Sequence, residues 1–110
     1  MSNSPAVIAV VPAYQAAPTL DVVVRSTLEH LTVIVVDDGS ADDTSAVARA
    51  AGAQVLRQEP NQGKGAALRR GFQHALDAGA EAVLTLDADG QHDPACAPDF
   101  LATWRERGRR

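Results

Sequence analysis

The chain has 110 residues, 45% hydrophobic and 22% charged, with a formal net charge of −4. That length holds one small domain over residues 1–110, and the acidic balance excludes binding to nucleic acid through charge. No apolar run approaches the roughly 20 residues of a membrane span; the polar, uncharged start gives no signal peptide; and Cys96 alone cannot form an internal disulfide, which fits a reducing compartment.

Residues 6–11 form a continuous apolar, β-branched run. Apolarity without alternation suggests a strand covered on both faces, as in a parallel sheet. Pro12 is expected to end it, and Pro18 or Thr19 to open a helix after the loop at Tyr14 and Gln15. In that helix Leu20, Val23, Val24, Thr27, Leu28 and Leu31 fall on one stripe. A second buried-type strand, 32–36, runs into Asp37-Asp38-Gly39-Ser40. Ser40 followed by Asp43 reads as a helix N-cap and places a helix over 41–51, with Gly52 as its C-cap. A short strand at 53–56 follows. The loop Asn61-Gln62-Gly63-Lys64-Gly65 then precedes a helix whose inner face is read as Leu68, Phe72, Ala75 and Leu76, closed by Gly79. A last strand, 82–86, leads to a helix from Pro94 with Phe100, Leu101 and Trp104 inward. The arginines 105, 107, 109 and 110 suit a helix C-terminus, where the macrodipole favours cations. The order β-α-β-α-β-α-β-α predicts an α/β fold with a parallel sheet and right-handed crossovers.

In open parallel sheets ligands bind beyond the carboxyl ends of the strands. Tyr14-Gln15, Asp37 to Ser40 and Asp87-Ala88-Asp89 all follow strands, so parallel pairing brings them to one edge. Side chains alternate along an extended segment, so Asp87 and Asp89 can point the same way. Two aligned carboxylates make a hard, oxygen-only site for Mg²⁺ or Mn²⁺. The competing reading is that Asp and Gly collect after strands because they make turns. A nucleotide suits such an edge: Asp38 can accept from a base N–H, and Tyr14 can cover the base or reach a ribose hydroxyl. Equally, Asp37 and Asp38 suit a turn and helix start, and Tyr14 a packed loop aromatic. Gly63-Lys64-Gly65 is not a P-loop, since the spacing before Lys64 is wrong and no Ser or Thr follows it. Its glycines let a helix start close to the nucleotide edge, and Lys64 can touch a phosphate. Gln91 is a plausible further metal ligand, and His92 a candidate ligand or proton carrier.

Four segments in this order, Val11-Pro12-Ala13-Tyr14, the run from Val36 to Thr44, Asn61 to Ala67 and Asp87 to Pro94, resemble the family 2 glycosyltransferases of the GT-A fold. The nearest likeness is to the dolichyl- and polyprenyl-phosphate sugar transferases. The resemblance runs from Val7 to about Leu101 and implies the nucleotide-binding, Rossmann-like half of a GT-A domain. It implies that Pro12, Tyr14, Val36, Asp38, Asp87, Ala88 and Asp89 contact the nucleotide of a UDP- or GDP-sugar. It also implies that Asp87, Asp89 and Gln91 form the metal site, that a lipid phosphate is the acceptor, and that the chain works in the cytoplasm at the inner face of a membrane. No catalytic base is assigned.

Two departures stand out. The family's Pro-x-Tyr-Asn-Glu reads Pro12-Ala13-Tyr14-Gln15-Ala16 here, so the Glu is missing. The chain also runs to roughly half an ordinary domain of the family, which implies a fragment or a chain that acts with another polypeptide. The alternatives are a non-catalytic nucleotide-binding remnant or partner subunit, a nucleotidyltransferase, or a phosphoacceptor receiver domain. Against the nucleotidyltransferase, this chain has no basic Gly-rich loop straight after the first strand; against the receiver domain, it offers no strand after Trp104 to supply the partnering Lys. A half domain leaves sheet edges open, so self-association is expected.

Overall fold

A computed structural model describes residues 7–88. Along them run β1 Val7–Ala13, α1 Ala17–Leu28, β2 Thr32–Asp37, α2 Thr44–Ala51, β3 Gln54–Arg57, α3 Lys64–Asp77 and β4 Ala82–Thr85. The helix expected from Pro94, with Cys96, Trp104 and the arginine cluster, lies outside the described residues. The strands form one parallel sheet in the order β3-β2-β1-β4. Among the described residues no helix is long and apolar enough to cross a membrane.

The unbroken apolar runs of β1 and β2 are explained by what covers each face. Val7, Ala9, Val11 and Ala13, with Val33 and Val35, pack against Leu20 and Val24 of α1 and Ala48 and Ala51 of α2. Ile8, Val10, Ile34 and Val36 point the other way and pack against Ala67 and Ala75 of α3. Alternation along the strand thus sends successive residues into two cores. The α1 stripe is buried as read at Leu20, Val23, Val24 and Thr27, with Leu31 buried just beyond the helix. Gly52 caps α2 in the left-handed conformation, φ 108°.

Pro12 does not end β1; the strand continues to Ala13, with Pro12 opposite Val36. The ladder bond from Leu86 N–H to the Val10 carbonyl shows that Val10 turns its backbone toward β4. Pro12, two residues on, turns the same way, past the last paired position of β4. Its missing N–H therefore costs no ladder bond.

The helix after β2 starts at Thr44, not at 41, and Asp43 at its N-cap makes no side-chain cap bond. Ser40 is not that cap, because its hydroxyl is taken by the N–H of Gln15 (2.8 Å). β3 begins one residue later than read from the sequence, and β4 closes one residue earlier. The inner face of α3 is also different: Leu76 is 55% exposed, and the fully buried positions are Ala67, Gly71 and Ala75. Small residues at i, i+4 and i+8 let this helix lie close on the sheet, with Leu68 and Phe72 packed at its margins. A Cβ at Gly71 would stand 2.4 Å from Val10 Cγ1 and 3.1 Å from Val36 Cγ2.

Gly71→Ala therefore overpacks the interface by about 1–3 kcal/mol, against about 1 kcal/mol gained in helix propensity. A net loss of stability is expected in urea denaturation. Gly65→Ala is the control: its Cβ meets only Arg69 Nη1 at 3.6 Å, so the midpoint should hold or rise.

Candidate functional site

The strand order places the topological switch between β1 and β4. From β1 the chain winds outward through β2 to β3, then crosses over the α3 face and returns on the other side of β1. Strand ends part at such a point and leave a crevice. A cleft of about 480 Å³ opens there. Its walls are Pro12 and Ala13 at the end of β1 with Tyr14 to Ala16 after it, Pro18 and Thr19 of α1, Asp38 after β2, Lys64 and Ala67 of α3, and Asp87 and Ala88 after β4.

Five of the seven expected nucleotide contacts thus line one cleft: Pro12, Tyr14, Asp38, Asp87 and Ala88. Val36 does not. Its side chain is fully buried in the core beneath α3, because its place in β2 points it into the sheet's α3 face. Asp37 is not on the cleft wall either. Asp89, Gln91 and His92 lie outside the described residues. Tyr14 stands on the cleft wall, 57% exposed.

The two adjacent acids do different work. Asp37 is wholly buried. It accepts from Ser45 Oγ, from the Ser40 N–H (3.0 Å) and from Arg57 Nη1 (2.8 Å). Arg57 also donates to the Ser40 carbonyl (2.8 Å), so the pair ties the end of β3 to the loop after β2. Asp38 faces the other way. Its Oδ1 accepts from Gln58 Nε2 (2.9 Å) and the Gln62 N–H (2.7 Å), and its Oδ2 from the Gly63 N–H (2.8 Å). A carboxylate offers about four acceptor positions, and these three bonds among the described residues fill three of them, while Asp38 itself lines the cleft. Asn61 adds a bond to the Asp38 carbonyl (3.0 Å). The loop is held so near that a Cβ at Gly39, φ 74°, would meet Asn61 N at 2.8 Å.

Burial pushes both carboxyls up, but their hydrogen bonds outweigh it and hold them below the usual carboxylate range. For Asp37 the donors are Ser40 and Ser45, with Arg57 adding its charge. For Asp38 they are Gln58 and the N–H groups of Gln62 and Gly63.

The start of α1 forms the near wall. Its first N–H groups have no helical partners, and the loop before α2 and the first residue of α2 supply them and hold the Gln15 N–H just before. Ser40 Oγ takes the Gln15 N–H, Thr44 Oγ1 the Ala16 N–H (2.9 Å), and Asp42 the Ala17 N–H (3.3 Å). Gln15 sits at φ 54°, which is uncommon for a residue with a Cβ. Its side-chain oxygen accepts from the N–H groups of Ala41 and Asp42, closing the same contact from the other side. On the far wall Lys64 Nζ pairs with Asp87 Oδ1 at 3.0 Å. That carboxylate already takes one cation, and a hard oxygen donor at the cleft wall is the chemistry Mg²⁺ or Mn²⁺ requires. Among the described residues no group of three His, Cys, Asp or Glu forms a metal cluster.

Sequence reasoning named Thr19 only as a possible helix start and did not single out Gln58 or Arg57, which carry no motif signal.

A family model described as glycosyl transferase family 2 matches residues 8–109. The chain belongs to glycosyl transferase family 2. This family 2 chain is 33% identical over 107 residues to the undecaprenyl-phosphate mannosyltransferase of Micrococcus luteus, covering 90% of this chain and 44% of that one. It is 30% identical over 112 aligned positions to the UDP-N-acetylglucosamine–dolichyl-phosphate N-acetylglucosaminyltransferase of Methanococcus voltae, covering 84% and 43%. Among solved structures it resembles Mycobacterium tuberculosis glucosyl-3-phosphoglycerate synthase, with a TM-score of 0.68 and 27% identity over 89% of this chain and 39% of that one. The same enzyme in complex with Mn²⁺, uridine diphosphate and glucosyl-3-phosphoglycerate aligns at 25% identity, with a TM-score of 0.67. The fold is that of the GT-A glycosyltransferases. The family 2 chain spans about two fifths of the length of these relatives.

The depressed carboxyls give a pH expectation. A folded-state value below the unfolded one, about 3.9 for Asp, contributes stability that is present above that value and lost as pH falls through the folded value. The urea midpoint should hold near neutrality and fall from about pH 5 downward. Asp37→Asn should lower the midpoint at neutral pH and flatten that acid limb; an unchanged limb would show that Asp37 does not drive it.

Proposed function

We propose that this chain is the nucleotide-sugar-binding part of a family 2 glycosyltransferase, and that its cleft takes the nucleoside diphosphate of a UDP- or GDP-linked sugar. The observation that carries this reading is the meeting of four chain-distant segments at the switch point, bringing Pro12, Tyr14, Asp38, Lys64, Asp87 and Ala88 to one cleft. The uridine diphosphate and Mn²⁺ in the complex of the solved relative support it.

Each wall has a task. The exposed ring of Tyr14 covers the base or reaches a ribose hydroxyl. The remaining acceptor position of Asp38 takes a base N–H, and its other bonds hold that position still. The divalent ion belongs to Asp87, with Asp89 and Gln91, and when bound it supplies charge neutralisation to the departing diphosphate. Lys64, paired with Asp87, lies where it can turn to a phosphate. The relatives named for undecaprenyl and dolichyl phosphate point to a polyprenyl phosphate as acceptor. That acceptor places the reaction at a membrane surface. Within the described residues β3 and β4 are each paired on one side only, so we further propose that the isolated chain self-associates; a stable monomer in sedimentation would overturn that point.

Calorimetric titration with UDP and with GDP, each with and without Mn²⁺, tests the donor site. One nucleotide should bind in a Mn²⁺-dependent way, and Asp87→Asn or Asp89→Ala should weaken that binding at least about tenfold. A folded chain that binds neither nucleotide would overturn the proposal.

A further inference from the structure

After β4 the chain enters the acidic segment, and its last ladder bond to β1 is from the Leu86 N–H to the Val10 carbonyl (3.2 Å). The Ala88 carbonyl is then held from outside the sheet. It accepts from the Thr19 hydroxyl at 2.8 Å, across 69 residues of sequence. That hydroxyl also lies 3.4 Å from the Ala16 carbonyl. A hydroxyl has one proton, and the shorter contact takes it.

Thr19 stands on a fixed base. It lies in the first turn of α1, where its own N–H bonds the Ala16 carbonyl (3.1 Å). The N–H groups of Gln15 and Ala16 are in turn held by Ser40 and Thr44. α1 covers one face of the sheet and α3 the other. The segment is therefore gripped from both: Thr19 on the backbone of Ala88, and Lys64 on the carboxylate of Asp87. Lys64 is a long, exposed side chain that an incoming phosphate can draw away. Thr19 is short, and its part-buried bond is to the backbone of a buried residue.

We infer that Thr19 is a positioning residue for the acidic segment: its hydroxyl fixes the Ala88 peptide and so keeps Asp87 aimed into the cleft when the cation and diphosphate arrive. The peptide unit is planar, so anchoring its oxygen fixes ψ at Ala88 and the plane that follows. Groups that orient metal ligands in this way commonly matter to affinity by 10- to 100-fold. The inference rests on the donor-site reading above and adds a residue to it. It also joins two parts of the site, because the loop after β2 that presents Asp38 caps the same helix start that carries Thr19.

The test compares wild type, Thr19→Val and Thr19→Ser. Three readouts are taken: calorimetric UDP binding with and without Mn²⁺, the Ala88 carbonyl ¹³C resonance, and thermal denaturation. Thr19→Val should shift the Ala88 resonance and weaken Mn²⁺-dependent UDP binding at least about tenfold, with little change in metal-free UDP binding. Thr19→Ser should restore both readouts. Should Thr19→Val fail to fold, Thr19→Ala takes its place. Unchanged Mn²⁺-dependent binding, an equal loss with and without metal, or no rescue by a folded Thr19→Ser would each overturn the inference alone. Wild type that binds no UDP overturns the donor-site reading, and this inference with it.

Discussion

Everything in this fold follows from strands β1 and β2 being apolar on both faces. A sheet with no wet face must be covered twice, and three helices do it: α1 and α2 on one side, α3 on the other. With parallel strands, helices on opposite faces require the chain to wind first one way from β1 and then the other, given a common crossover hand. The reversal point is the cleft. A site thus arises from the covering of a hydrophobic sheet, before any side chain chemistry is considered, and the polar residues that follow β1, β2 and β4 are delivered to it by parallel pairing.

What the sheet delivers, hydrogen bonds hold in place. Loops at strand ends carry backbone groups that would be left unpaired on burial. Here they are satisfied largely by side chains from other loops. Asp37 and Arg57 bind the β2 and β3 ends together, Asp38 gathers the loop before α3, and Ser40 and Thr44 hold the entry to α1 at Gln15 and Ala16 from 25 or more residues away. No buried side-chain polar atom among the described residues lacks a partner. The cleft is therefore framed by groups already committed to one another, the preorganisation a binding site needs. Asp38 belongs to that frame: it lines the cleft, and three of its bonds go to its own protein.

The departures from sequence reasoning share one origin. Pro12 looked like a strand end, but a proline is tolerated wherever its neighbour strand has already stopped. Ser40 and Asp43 looked like a capping pair for α2, yet the Ser40 hydroxyl is engaged by the N–H of Gln15 in the loop before α1. Leu76 looked like core, but α3 sits too close to the sheet for a large side chain where Gly71 and Ala75 lie. Each is a local signal overruled by a neighbour that is remote in sequence.

By itself the sequence determined the alternation of elements, the parallel sheet, the family and the candidate acids, because hydrophobic period and strand-end motifs are local and survive without knowledge of neighbours. Only the tertiary structure decided which of two adjacent aspartates faces the cleft, which hydroxyl caps which helix, and that Thr19 reaches Ala88. Those depend on strand order and on how near α1 and α3 approach the sheet, and contacts between residues 20 to 70 positions apart leave no periodic trace in a single chain.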